Sequence, residues 1–223
     1  EFLSRVDALG ELEEVSGAHW RREMSAISEL TARGPREPRP ALLFDDIPDY
    51  PTGRTLYATT NSLNRLALTV GMDPGYDSPI ALLEDYRERD LLDRELDPEF
   101  VDRAEAPLFD AEQTGDDVDL HEFPVPLHHE QDGGRFIGTA DCVITQDPAG
   151  DVNVGTYRMQ LFGDSEVGVL MAPGKHGRLN FDEYAGREEP IPIAATFGQD
   201  PTLWTFASIH PEHRSQYGEY ALA

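Results

Sequence analysis

The sequence holds one cysteine, one lysine and no apolar run long enough to span a bilayer. A lone Cys142 rules out an intrachain disulfide and suits a reducing compartment. With no set of thiolates on offer, a structural zinc site is disfavoured too. Cys142 lies in the apolar stretch Cys142-Val143-Ile144 with no local base, so it reads as a buried strand thiol. No Ser-His-Asp or Cys-His grouping, no Walker-type or dinucleotide glycine loop and no repeat period can be found. The lack of a bilayer-spanning run and of a signal-peptide pattern makes the cytoplasm the expected location. Positive charge is scarce: 18 Lys and Arg stand against 43 Asp and Glu, a net charge of −25. Such a shell repels nucleic acid and anionic membrane, so neither is an expected partner. It fits a protein kept soluble in high salt, where ions screen the self-repulsion, and equally an acidic cytosolic protein.

What is present is α/β punctuation over the first hundred residues. Phe2, Leu3, Val6 and Leu9 recur at helical spacing up to Gly10, and Met24, Ile27 and Leu30 mark a second helix ended by Gly34-Pro35. Ala41-Leu42-Leu43-Phe44 reads as a buried strand. A third helical stripe, Leu63, Leu66, Ala67 and Val70, closes at Gly71, and Ser78-Pro79 supplies a cap and a first-position proline for a fourth. From Glu84 to Glu122 sixteen acids face four arginines, the composition of a solvated helix face and a linker. The domain boundary is placed there, giving domains 1–112 and 113–223. The second half is richer in strands: 139–145 and 152–161 flank the turn Asp147-Pro148-Ala149-Gly150, and 166–171 and 191–197 follow. Helices are expected around 179–184 and from Asp200-Pro201 to about 209.

Three segments carry candidate chemistry. Asn153-Val154-Gly155-Thr156-Tyr157-Arg158 would put Asn153, Gly155 and Tyr157 on one strand face, with Gly155 admitting a close ligand. Pro173-Gly174-Lys175-His176 sits at a strand-to-helix junction, where the helix dipole favours an anion. Gly218-Glu219-Tyr220 adds a carboxylate. An amide oxygen, an imidazole and a carboxylate suit a hard or borderline divalent cation such as Mn²⁺ or Mg²⁺, with phosphate as co-ligand. Each segment also has an ordinary reading, as an edge asparagine, a surface histidine and one acid among many. The loop Leu127-His128-His129-Glu130 reads as a polar loop, since adjacent histidines on extended chain face opposite ways.

In order and spacing, several pieces together resemble the N-terminal portion of the UbiD-type decarboxylases, the prenylated-flavin-dependent family. They are Gly10-Glu11-Leu12, Pro40-Ala41-Leu42-Leu43-Phe44, Arg65-Leu66-Ala67-Leu68, Phe123-Pro124-Val125-Pro126, Asp132-Gly133-Gly134-Arg135, Asn153 through Gln160, Ala172-Pro173-Gly174-Lys175-His176 and Gly218-Glu219-Tyr220-Ala221. The resemblance implies an α/β N-terminal domain followed by an α+β split β-barrel-like flavin-binding domain. It implies that Asn153, His176 and Glu219 ligate a divalent metal, Mn²⁺ or Mg²⁺, bridging to the phosphate of prenylated FMN. Asn153, Thr156, Tyr157, Arg158, Leu170, Met171, Ala172, Lys175, His176 and Glu219 would hold the cofactor. Carbonyls around Ala207, Ser208 and His210 match a stretch that can hold K⁺.

The implied activity is reversible non-oxidative decarboxylation of an aromatic or α,β-unsaturated acid. Arg158 would be the catalytic residue on this chain, facing the substrate carboxylate and orienting an acid/base glutamate. The family's glutamates match no position up to residue 223. Because the sequence opens on Glu1 and stops in mid-pattern at Ala223, it is expected to be a piece of a longer chain, inactive alone. A flavin prenyltransferase as cofactor supplier and a homo-oligomeric state are implied as well. The alternatives are a non-catalytic flavin- and metal-binding or assembly subunit needing a partner chain, and a metal-dependent hydrolase, which lacks an identifiable base.

Overall fold

The computed structural model describes residues 1–89, 96, 98–209 and 219. The first sheet forms from β1 (Leu12–Ser16), β2 (Ala41–Asp45) and β3 (Thr55–Tyr57), in the order β1-β2-β3. β1 runs parallel to β2, and β3 pairs antiparallel on its other side. The central β2 is apolar on both faces because both are covered. Leu42 and Phe44 pack with Met24 of α2 (Glu23–Arg33). On the opposite face Ala41 meets Val6 of α1 (Phe2–Ala8) and Leu68 of α3 (Leu63–Thr69). A further helix, α4 (Pro79–Glu88), starts at the Ser78 cap, whose hydroxyl accepts the Ala81 N–H at 3.2 Å.

A buried ion pair ties α3 to the entry of β1. Arg65 Nη1 lies 2.8 Å from Glu11 Oε2, with both side chains sealed from solvent. Asn64 Nδ2 donates to Glu11 Oε1 at 2.7 Å, Ser62 donates its hydroxyl to Glu11, and Arg65 Nη2 reaches the Arg39 carbonyl at 2.7 Å. Removing one partner of such a pair costs about 3–5 kcal/mol, because the other is left as a bare buried charge.

Residues 98–123 form short one-turn 3₁₀ segments with little burial, as the acidic composition suggests. The chain is then pinned back onto the first sheet's surroundings. Leu127 exchanges backbone hydrogen bonds with Trp20 and Arg22, and Ser25 Oγ lies 2.9 Å from His128 Nδ1. Arg135 stacks over Trp20 at 4.4 Å while Nε donates to the Val125 carbonyl.

The second sheet has the order β5-β4-β8, all antiparallel, built from β4 (Cys142–Gln146), β5 (Val152–Gly155) and β8 (Ile193–Thr196). A hairpin of β6 (Arg158–Leu161) and β7 (Val167–Leu170) stands beside it. The β4–β5 turn closes as its composition suggests: Asp147 Oδ1 accepts the N–H groups of Ala149, Gly150 and Asp151, each at 2.9 Å. One face of this sheet buries Cys142 and Val154 with Ala207 of α6 (Pro201–Ala207). The other carries Val143, Thr145 and Asn153 beneath α5 (His176–Ala185).

Helices and the covered strand β2 form where the pattern places them. β1 and β3 were not foreseen, and the single strand expected over 152–161 is broken at Thr156-Tyr157. β1 is an edge strand with three of its five residues exposed, so it shows no apolar run. Among the described residues no helix is long and apolar enough to cross a membrane.

Cys142 is fully buried, and burial pushes its thiol up to about 11, consistent with an inert strand residue. Its neighbour Asp141 is also buried, with Oδ2 lacking a hydrogen-bond partner. Burial lifts this carboxyl from 3.8 to about 6, against a smaller opposing effect of its own backbone N–H. Because the folded state holds this proton more tightly, the stabilisation is complete below about pH 4 and lost as pH rises through about 6. Relative to Asp141→Asn, the wild type should therefore lose up to about 3 kcal/mol between pH 4 and pH 7. Denaturant unfolding across that range checks this, and a pH-independent difference contradicts it.

Candidate active site

The site forms at the open edge of β5, where the N-terminus of α5 and the C-terminal end of α6 approach it. Asn153, Val154, Gly155, Thr156, Tyr157, Lys175, His176, Ala207, Ser208, Ile209 and Glu219 line one small cleft. Asn153 and Glu219, 66 positions apart in sequence, are each only 3% exposed. Their meeting is enforced by the edge of β5: Glu219 Oε2 accepts the Val154 N–H at 2.7 Å. A carboxylate held by a backbone amide keeps its second oxygen in a defined direction.

His176 opens α5, and Gly174 makes the preceding turn with φ +83°, a conformation that favours glycine. The helix start is clamped to the strand through Tyr157. Its hydroxyl accepts the Gly177 N–H at 2.9 Å, and its ring lies between two glycines. A Cβ on Gly155 would sit 2.6 Å from the ring, and one on Gly177 would sit 2.8 Å from the hydroxyl. These glycines are therefore a matter of space, and they let an aromatic ring fill the strand–helix gap. Lys175 holds the N-cap position of α5 and is exposed, so the protein's lone lysine and the positive end of the helix dipole stand together at the cleft.

Asn153, Thr156, Tyr157, Lys175, His176 and Glu219 thus share one cleft. Arg158, Leu170, Met171 and Ala172 lie on the adjoining hairpin. Arg158 pairs with Leu170 across β6 and β7, and its exposed guanidinium sits 5.8 Å from the Phe136 ring centroid. Met171 packs in the cluster that holds Tyr157, while Ala172 is exposed. Of the suggested K⁺ carbonyls, Ala207 and Ser208 line the cleft, and His210, like Gly218 and Tyr220, lies outside the described residues.

Two buried side chains under the site escaped the sequence reading. Thr145 Oγ1 accepts hydrogen bonds from Asn153 Nδ2 at 3.3 Å and from Asn180 Nδ2 at 3.0 Å. A signal existed for Asn180, which lies one helical turn after His176 and so shares its face. Thr145 could have been found only from the register of the β4–β5 hairpin.

The model of the 3-octaprenyl-4-hydroxybenzoate carboxy-lyase Rift-related domain, UbiD, matches residues 99–223. The chain belongs to the UbiD family. It is 29% identical to a phenolic acid decarboxylase of Escherichia coli O157:H7, an alignment covering 100% of this chain and 46% of that protein. The fold superposes on the closed form of vanillic acid decarboxylase from Sedimentibacter hydroxybenzoicus with a TM-score of 0.83 and 27% identity, covering 99% of this chain and 46% of that one. HmfF from Pelotomaculum thermopropionicum, a UbiD-class enzyme solved with FMN and, in an evolved dimeric form, with prFMN, shares the fold. Its TM-score is 0.81 at 21% identity, covering 100% of this chain and 47% and 49% of those chains. The UbiD-family chain spans about half the length of these relatives.

Substitution at the clamp gives a direct check of this geometry. Tyr157→Phe strands the buried Gly177 N–H and should cost about 1–3 kcal/mol. Gly177→Ala forces the ring or the helix start to move, at about 1–3 kcal/mol. Equilibrium unfolding measures both, and two wild-type curves contradict the clamp.

Proposed function

We propose that this chain is the flavin- and metal-binding part of a carboxy-lyase that reversibly removes CO₂ from an aromatic or α,β-unsaturated carboxylic acid. The observation that carries this reading is the convergence of Asn153, His176 and Glu219 on one cleft with Lys175 at its side. Amide oxygen, imidazole nitrogen and carboxylate fit Mn²⁺ or Mg²⁺, which accept mixed oxygen and nitrogen donors. Two of the three are buried, as a site that holds a cation out of bulk water requires.

The residues also fit a phosphate. An anion entering a protein of net charge −25 needs local neutralisation. Lys175, the α5 dipole and a cation held by the three donors would provide it here. Thr156 and Tyr157 would border the cofactor from the link between β5 and β6, and Leu170, Met171 and Ala172 from the end of β7 and the residues after it. When bound, prenylated FMN supplies the electron sink for CO₂ loss. The protein's part is to hold that group, orient the acid and exclude water. Arg158, exposed at the start of β6, would face the substrate carboxylate. Ala207 and Ser208 carbonyls would hold K⁺ near the same phosphate.

This reading divides the chain into an α/β domain over 1–112 and a split-barrel-like flavin domain over 113–223. It also carries a cytoplasmic setting, a homo-oligomer and a flavin prenyltransferase that supplies the cofactor. The 223-residue chain alone should show little turnover, since the acid/base glutamates of the family match none of its sequence positions.

Metal and flavin retention provide the test. Asn153→Ala and Glu219→Ala should each lose bound Mn²⁺ by elemental analysis and release flavin in parallel. Unchanged metal content in both variants overturns the ligand assignment.

A further inference from the structure

Beneath the cleft lies a polar group that the site's own chemistry does not use. Thr145 occupies the central strand β4, directly opposite Asn153 in the β4–β5 register. Antiparallel partners on one face bring their side chains together, so the threonine hydroxyl and the asparagine carboxamide meet as a consequence of pairing. Asn180 reaches the same hydroxyl from α5, where it lies four residues after His176. Asn153, Thr145 and Asn180 are all essentially sealed from solvent. Buried polar side chains in an apolar sheet cost free energy unless they are hydrogen-bonded, and here both amides donate to the one hydroxyl.

We propose that Thr145 and Asn180 are positioning residues for the cation site, resting on the assignment of Asn153 and His176 as ligands. A hydroxyl oxygen has two lone pairs, and here each takes one amide N–H. With Nδ2 engaged by Thr145, Asn153 has Oδ1 as its remaining arm for the cleft it lines. The opposite rotamer would present N–H groups to the cation, which is repulsive. The same oxygen anchors α5 through Asn180, one turn from His176. Thr145 therefore couples the strand that carries one ligand to the helix that carries another. Outer partners of this kind typically change metal affinity by about 10- to 100-fold.

The test is Mn²⁺ titration of the protein in the presence of FMN, read by the EPR signal of free Mn²⁺. Thr145→Val keeps the shape and removes the acceptor, and it should weaken Mn²⁺ binding about tenfold or more. Thr145→Ser restores the hydroxyl and should bind within about threefold of wild type, which a packing role for the methyl group would not give. If Thr145→Val does not fold, Asn180→Leu reads the same coupling through the helix and should weaken binding several-fold. Wild-type affinity in whichever of these two variants folds, while Asn153→Ala loses the ion, overturns the positioning role and leaves the ligand assignment intact. Equal Mn²⁺ binding by wild type and Asn153→Ala overturns the ligand assignment and the positioning role together.

Discussion

Pairing β5 against β4 sets Asn153 over Thr145 and leaves β5 as an edge, so that the Val154 N–H is taken by a side chain rather than by another strand. Glu219 fills that role. One register thus places the two oxygen-bearing side chains of the proposed ligand set, one through a side-chain contact and one through the edge amide. His176, the third residue of that proposed set, depends on the same strand indirectly, because Tyr157, just past its end, holds the first turn of α5. A one-residue slip would turn Asn153 to the α6 face and remove the partner of every one of these contacts. Site geometry and sheet register are therefore a single constraint.

Charge is the physical argument for the cation in the proposed reading. Acids outnumber bases 43 to 18 in the sequence, yet Lys175 and a helix N-terminus stand at the cleft. Binding a phosphate there with protein groups alone would leave much of its charge opposed by the surrounding field. A divalent ion held by the three proposed donors would resolve that conflict locally, and salt screening of the outer shell would leave such an interior contact largely untouched.

Much of this arrangement was legible from residues, and the gaps have physical causes. Ser78-Pro79 and Asp200-Pro201 announced helix starts because capping and proline chemistry are local. The turn at Asp147 was legible for the same reason. β1 was missed because its exposed glutamates, Glu13 and Glu14, break the apolar pattern that marks a strand. The interruption at Thr156-Tyr157 was hidden because a strand pattern continues through it. Glu219 could not be chosen from among 43 acids by composition, and only family resemblance singled it out. Thr145 and Asn180 required a register and a helix position known together, which no single segment encodes.

The central claim is that one imidazole and a flavin phosphate share a cation with two oxygen donors. Electron spin-echo envelope modulation of Mn²⁺ bound to the FMN-loaded protein measures this directly. The account expects one coupled imidazole nitrogen, lost in His176→Gln, together with a phosphorus coupling from FMN. A spectrum like that of hydrated Mn²⁺, with neither coupling, would contradict it.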